Sequence, residues 1–219
     1  MKLKNIVSGL AMTLLLAGCA SVSQQHATVA DGTIQNAALG FSGFTFKIPD
    51  GFAVHNPAAE NPAELNELQR MAIRIYDLNK TWHPRGNELF YDSFLLMSGK
   101  TCFMLIMVKY DYMLQKEESP FSDRVVINWQ LMPLYNVTAR RTLELSVNRL
   151  PAVYTCGYAH ERKGWYYADP KRNSTAFNYE ACKGMTDSRN NYILIGFALP
   201  ENAKDITAPM KQMIEDMKF

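Results

Sequence analysis

The chain lacks an apolar run long enough to cross a bilayer as a mature helix, because the stretch from Asn5 to Leu16 falls short of the roughly 20 residues that a hydrocarbon core requires. It lacks ligand spacing as well. Its four histidines, at 26, 55, 83 and 160, form no His-x-x-x-His pair, and no Cys-x-x-Cys occurs, so no two side chains are spaced to meet one metal ion. There is no glycine-rich phosphate loop and no Gly-x-Ser-x-Gly elbow, and no cofactor is expected. Charge of one sign is missing too. With 23 basic and 21 acidic residues in 219, the whole-protein field is too weak to draw in nucleic acid.

What the sequence does contain begins at its start. Lys2 and Lys4 precede the apolar run, which ends in Leu16-Ala17-Gly18-Cys19, the layout of a signal peptide covering residues 1–18. The tetrad resembles the lipobox of bacterial lipoproteins, in which small residues admit the processing peptidase and the thiol after the cut carries diacylglycerol. The resemblance implies lipidation at Cys19, palmitate among the acyl chains, and stable anchoring, since more than one buried chain holds where a single chain is marginal. Ala20, in place of Asp, looks like the outer-membrane sorting signal of a Gram-negative cell. Cleavage would remove two lysines and no acid, leaving 21 residues of each sign. Residues 21–40 are rich in Ala, Ser, Gln, Thr and Gly and hold no aromatic. Residues 19–40 are therefore expected to be anchor and flexible tether, with a reach of roughly 25 Å.

Residues 41–219 carry enough aliphatic and aromatic side chains to close one core and show no internal repeat, so a single domain is expected. Gly43 to Pro49 alternates as a strand, and Pro49-Asp50-Gly51 supplies turn chemistry. Asn61-Pro62-Ala63-Glu64 has the form of a capping box, after which Leu65, Leu68, Ala72, Ile75 and Tyr76 recur at helical spacing through about Asn79. Leu89–Met97 and Thr101–Tyr110 form an expected hairpin. The run from Arg124 to Tyr135 leans to helix before Pro133. Strands are expected at Thr142–Asn148, Leu150–Tyr158 and Ala176–Lys183. Tyr192–Leu199 is apolar nearly throughout, which calls for cover on both faces and a central place. Ile206, Met210, Met213, Ile214 and Met217 lie on one face of a closing helix, with Pro209 tolerated in its first turn. The fold class is α+β: a mostly antiparallel sheet covered by a helix from the N-terminal half and a C-terminal amphipathic helix.

Residues 43–52, the Asn-Arg-Leu-Pro-Ala-Val-Tyr of 148–154 and the close from Tyr192 to Phe219 resemble the PsbP-like fold, named for an extrinsic protein of the photosystem II oxygen-evolving complex. That resemblance implies a non-catalytic accessory or binding module and brings no catalytic residues with it.

Once Cys19 is lipidated, Cys102, Cys156 and Cys182 remain in an oxidising compartment, where three thiols cannot all pair internally. A Cys156–Cys182 disulfide is favoured, with Cys102 a buried small hydrophobe; pairing of Cys102 with either of the others stays open. A Cys156/His160 nucleophile is the sharpest enzymatic alternative, but four positions along a strand is about 13 Å, far beyond hydrogen-bond reach. The segment from His160 to Arg172 interleaves aromatics and cations, the composition of binding hot spots. Arg162, Lys163, Trp165, Tyr166, Tyr167, Lys171 and Arg172 are its candidate binding residues, and Trp82–Arg85 could join them. The same residues fit a surface hairpin whose rings pack back on the sheet. The expectation is a lipid-anchored envelope protein that binds or scaffolds, with the membrane and an envelope protein or glycan as partners. The alternative is a thiol-dependent or hydrolytic enzyme.

Overall fold

The computed structural model describes residues 28–36, 43–81, 90–108, 135–161, 175–186 and 191–219. Its strands are β1 (Thr28–Ala30), β2 (Thr33–Asn36), β3 (Phe44–Lys47), β4 (Ala53–Val54), β5 (Phe90–Met97), β6 (Cys102–Val108), β7 (Tyr135–Val147), β8 (Leu150–Glu161), β9 (Phe177–Met185) and β10 (Asn191–Ala198). Helix α1 spans Glu67–Thr81 and α2 spans Thr207–Asp216, with a 3₁₀ turn at Pro200–Asp205 leading into α2. Seven strands form one antiparallel sheet in the order β4-β5-β6-β10-β9-β8-β7, and β1-β2-β3 form a second, smaller one. The class is α+β. β10 takes the middle of the large sheet, as its continuous apolar run requires.

Side-chain alternation divides the core in two. Cys102, Met104 and Ile106 of β6, with Ile193, Ile195 and Phe197 of β10, face α1 and meet its Leu68, Ala72, Ile75 and Tyr76. Phe103, Leu105 and Met107, with Tyr192 and Leu194, face the other way, where the small sheet and α2 cover them through Ile34, Phe44, Phe46, Met210, Met213 and Met217. The chain's last residues tie this layer together. Thr45 and Lys218 exchange backbone hydrogen bonds of 3.0 Å, and the Asn148 side chain donates to the Met217 carbonyl at 2.7 Å.

Three boundaries differ from the sequence expectation. The helix begins later, because Asn61 and Glu64 cap only a turn of their own. Asn66 is the true N-cap: its side chain accepts from the Gln69 amide at 2.9 Å while the Gln69 side chain accepts from the Asn66 amide at 3.0 Å. The same two side chains donate to the Gly99 and Ser98 carbonyls and so dock the helix on the β5–β6 turn. Second, residues 28–36 lie within the expected tether yet form strands. Asp31 and Gly32 both take positive φ, the two-residue hairpin turn, and Ile34 is wholly buried. That burial draws the segment onto the domain. Third, β7 starts at Tyr135 rather than Thr142, and pairs with β8 along its whole length. The expected helix before Pro133 lies outside the described residues.

Candidate functional site

One cluster of polar side chains lies on the α2 side of the large sheet, over β7, β8 and β9. Antiparallel register puts Arg141, Cys156 and Glu180 in one line across the three strands, and the same line continues to Gly196 of β10 and Phe103 of β6. Directly paired residues share a face, so the arginine, thiol and carboxylate stand side by side. The neighbouring line is Leu143, Tyr154 and Cys182; on the other flank lie Thr138, Tyr158 and Asn178.

A bulge widens the site at its β7 edge. Ala139 pairs with Gly157 and Arg141 with Cys156, leaving Arg140 as the extra residue. Two exposed arginines therefore stand where regular pairing would leave one facing this side. The Arg140 guanidinium carbon lies 4.6 Å from the centroid of the Tyr158 ring, a cation–π distance, and Tyr158 meets His160 edge to face at 5.1 Å.

Glu180 is the buried member, only 8 % exposed in a strand that is otherwise closely covered. It meets α2 because Gly196 lets Ile206 in: a Cβ at Gly196 would lie 2.7 Å from the Ile206 side chain and 2.5 Å from the Phe103 ring. With Ile206 seated, the next residue, Thr207, donates its hydroxyl to Glu180 Oε1 at 2.5 Å. The other oxygen, Oε2, is buried with no hydrogen-bond partner among the described residues, and no arginine pairs with it among them. An unmatched buried carboxylate oxygen is costly, of order 1–3 kcal/mol or more, so its presence calls for a reason.

The surroundings shift their own titrations. Burial pushes the Tyr154 phenol well above its ordinary range, and its contact with Glu180 adds to that. The half-exposed Cys156 thiol is also raised, by burial first and then by the Glu180 charge, while Arg141 and Arg140 pull it partly back. That is the opposite of an activated thiol.

The cysteines correct one expectation. Cys102, Cys156 and Cys182 are all free. Cys156 and Cys182 do sit on adjacent strands and on one face, but Cys156 pairs with Glu180 and Cys182 with Tyr154. They are diagonal neighbours, typically 7–8 Å apart at Cα, longer than the usual disulfide span. Burial pushes both Cys102 and Cys182 from an ordinary 9.0 up to about 12. For a group raised in the fold, the stability contribution is complete below the unfolded value and is lost as pH climbs through the folded one. The melting temperature should thus hold from neutrality to about pH 9 and fall between there and about 12. Of these three thiols, only Cys156 should react with a thiol reagent in the native protein, and slowly; melts across pH and labelling with and without denaturant check both points.

His160 and Cys156 lie on one face of β8 with Tyr158 between them, so no Cys–His pair forms. Residues 162–172, including Arg162, Lys163, Trp165, Tyr166, Tyr167, Lys171 and Arg172, lie outside the described residues, as do Trp82–Arg85 and Cys19. Among the described residues no group of three or more His, Cys, Asp or Glu is placed to hold a metal ion. The Glu180 site went unforeseen, although an acid inside a strand as apolar as Phe177–Met185 is itself a visible signal.

No protein-family model and no curated protein matches the sequence. The chain is similar in shape to the solution structure of cyanobacterial PsbP (CyanoP) from Synechocystis sp. PCC 6803, at 7 % identity and a TM-score of 0.49, over 91 % of this chain and 96 % of that one. At that level the likeness transfers no residue's role.

Proposed function

We propose that this protein is a lipid-anchored component of a bacterial cell envelope, held by a lipid on Cys19, in which the folded domain binds a ligand or partner rather than catalysing a reaction. The observation that carries the proposal is the Leu16-Ala17-Gly18-Cys19 tetrad behind a short apolar run and two lysines. Ala20 favours the outer membrane if the cell is Gram-negative. Because Thr28 already belongs to β1, only nine peptide steps separate it from Cys19, at most about 30 Å of chain. The domain would therefore ride close to the headgroups, within reach of membrane-proximal protein or glycan.

Binding rather than turnover is supported by the character of the one partly exposed thiol among the described residues. Cys156 is held toward its neutral form by burial and by Glu180, and its nearest ring neighbours on β8 are phenols rather than a base. The test is direct. Cells expressing the wild type and Cys19→Ser are labelled with radioactive palmitate and fractionated. The wild type should carry label and sediment with membranes, and the serine variant should lose both. A labelled or membrane-bound serine variant, or an unlabelled wild type, overturns the anchor. Hydrolysis of a peptide, ester or glycan by the purified protein that disappears on Cys156→Ala would overturn the binding reading.

A further inference from the structure

The Arg141–Cys156–Glu180 line has opposite charges at its two ends and a half-exposed floor between them. Arg141 and Glu180 are two strand spacings apart, about 9–10 Å from backbone to backbone, and both side chains lie on the same face. The long arginine side chain closes part of that distance. What remains suits a molecule of a few bonds, not a polymer. Each end also keeps capacity for a charged partner. Glu180 Oε2 is a buried acceptor with no donor among the described residues, although its sister oxygen is held by Thr207. Arg141 is exposed and forms no ion pair among those residues, while Arg140 is laid over Tyr158. The half-buried Tyr154 brings its hydroxyl up to the Glu180 carboxylate, and an arriving ammonium would displace that hydroxyl while leaving the ring in place.

We infer that this face binds a small amino-carboxylate, an amino acid or a short peptide, with its ammonium donating to Glu180 Oε2 and its carboxylate held by Arg141 while Arg140 and Tyr158 flank it. The charges match. A buried carboxylate is satisfied best by a charged N–H donor, and a guanidinium binds a carboxylate through two parallel hydrogen bonds. A purely anionic ligand would leave Oε2 unmet and repel it. A purely cationic one would face the two arginines. The Tyr154 and Tyr158 rings supply apolar walls along the path between the ends. This inference rests on the binding reading of the domain and names its ligand class.

The experiment is a thermal-shift and calorimetric titration of the purified full chain with glycine, dialanine and 6-aminohexanoate, which carry the same two end groups at increasing separation. The N-acetyl and the C-terminal amide form of each probe block one end. At least one of the three unblocked probes should raise the melting temperature in a saturable way, and the matching blocked forms should not. Both Glu180→Gln and Arg141→Ala should weaken that probe about tenfold or more, as loss of a hydrogen bond to a charged partner does. Arg141 is on the surface, so its variant should melt at the wild-type temperature without ligand and still lose the shift. If no probe binds at millimolar concentration, if a blocked form binds as well as its parent, or if both variants bind like the wild type, the inference is overturned. A glycine optimum would point to a free amino acid, and a dialanine or 6-aminohexanoate optimum to a peptide-length separation of the two ends; each supports it. Repeating the titration on the full-length Cys19→Ser chain separates this result from that of the lipid anchor.

Discussion

Replacing Phe197 by alanine should lower the stability of the domain by about 3–5 kcal/mol, the range for emptying a fully buried aromatic site. That is a large share of the 5–15 kcal/mol that holds a typical domain folded. Phe197 has no exposed surface and stands on the central strand β10. Its ring meets Phe177 edge to face at 5.7 Å, and Phe177 meets Tyr135 in the same manner at 4.8 Å. The three rings run from β10 through β9 to the first residue of β7, crossing the α1 side of the sheet. Because the strands on either side are fixed by hydrogen bonds, the walls cannot collapse into the vacated volume, and the cavity term persists. Urea unfolding measures the effect as a drop in midpoint at unchanged slope. Phe197→Leu should cost clearly less. A loss below about 1 kcal/mol for alanine would show that this face is not packed as described.

Gly157→Ala should be nearly as damaging, at about 3 kcal/mol, near the top of the usual range for forcing atoms into a filled space. The added methyl would lie 2.0 Å from the Thr138 carbonyl oxygen and 2.7 Å from the Tyr179 hydroxyl. These two groups are bonded to each other across the glycine: the Tyr179 hydroxyl donates to the Thr138 oxygen at 3.3 Å. A flexible side chain could step aside, but a strand carbonyl cannot move without unzipping β7 from β8. Tyr179→Phe provides the control. It removes the hydrogen bond alone and should cost about 1 kcal/mol, so a Gly157→Ala loss of only that size would mean the backbone clash is relieved. Because the bulge at Arg140 sits beside this contact, the alanine variant should also lose the stacking of Arg140 on Tyr158.

Much of the architecture was legible because strong local signals agreed with burial. The nearly unbroken apolar run of Tyr192–Leu199 can be satisfied only between two layers, and β10 indeed lies at the centre. The methionine and isoleucine spacing of 206–217 matches the buried face of α2, with Met210 and Met213 inward. Leu68, Ala72, Ile75 and Tyr76 do the same for α1. At the start of α1 two similar signals compete. Asn61/Glu64 and Asn66/Gln69 both have capping-box chemistry, and the choice fell to the pair that could also bind the Ser98 and Gly99 carbonyls, a contact between distant parts of the chain. The hairpin at Asp31-Gly32 is hidden in the sequence because a polar, small-residue composition surrounds one decisive side chain, Ile34.

The site was hardly legible at all. Arg141, Cys156 and Glu180 are separated by 15 and 24 positions, and nothing in their spacing announces a line. Their alignment comes from the register of three strands, itself shifted by one at Arg140. The favoured Cys156–Cys182 pairing failed for the same reason, since a two-residue offset separates a bond from a near miss and only register decides it.

The two ends of the large sheet are unlike each other, and both matter wherever copies of the protein meet. At one end β4 contributes just two paired residues, too few to template the strand of a second molecule. At the other, β7 is thirteen residues long, the kind of border that invites fibre growth, but its pairing is kinked midway and two guanidinium groups stand at the kink. Bends and charges of this kind spoil edge-to-edge stacking between copies. The bulge that widens the candidate site would thereby also keep neighbouring molecules from polymerising.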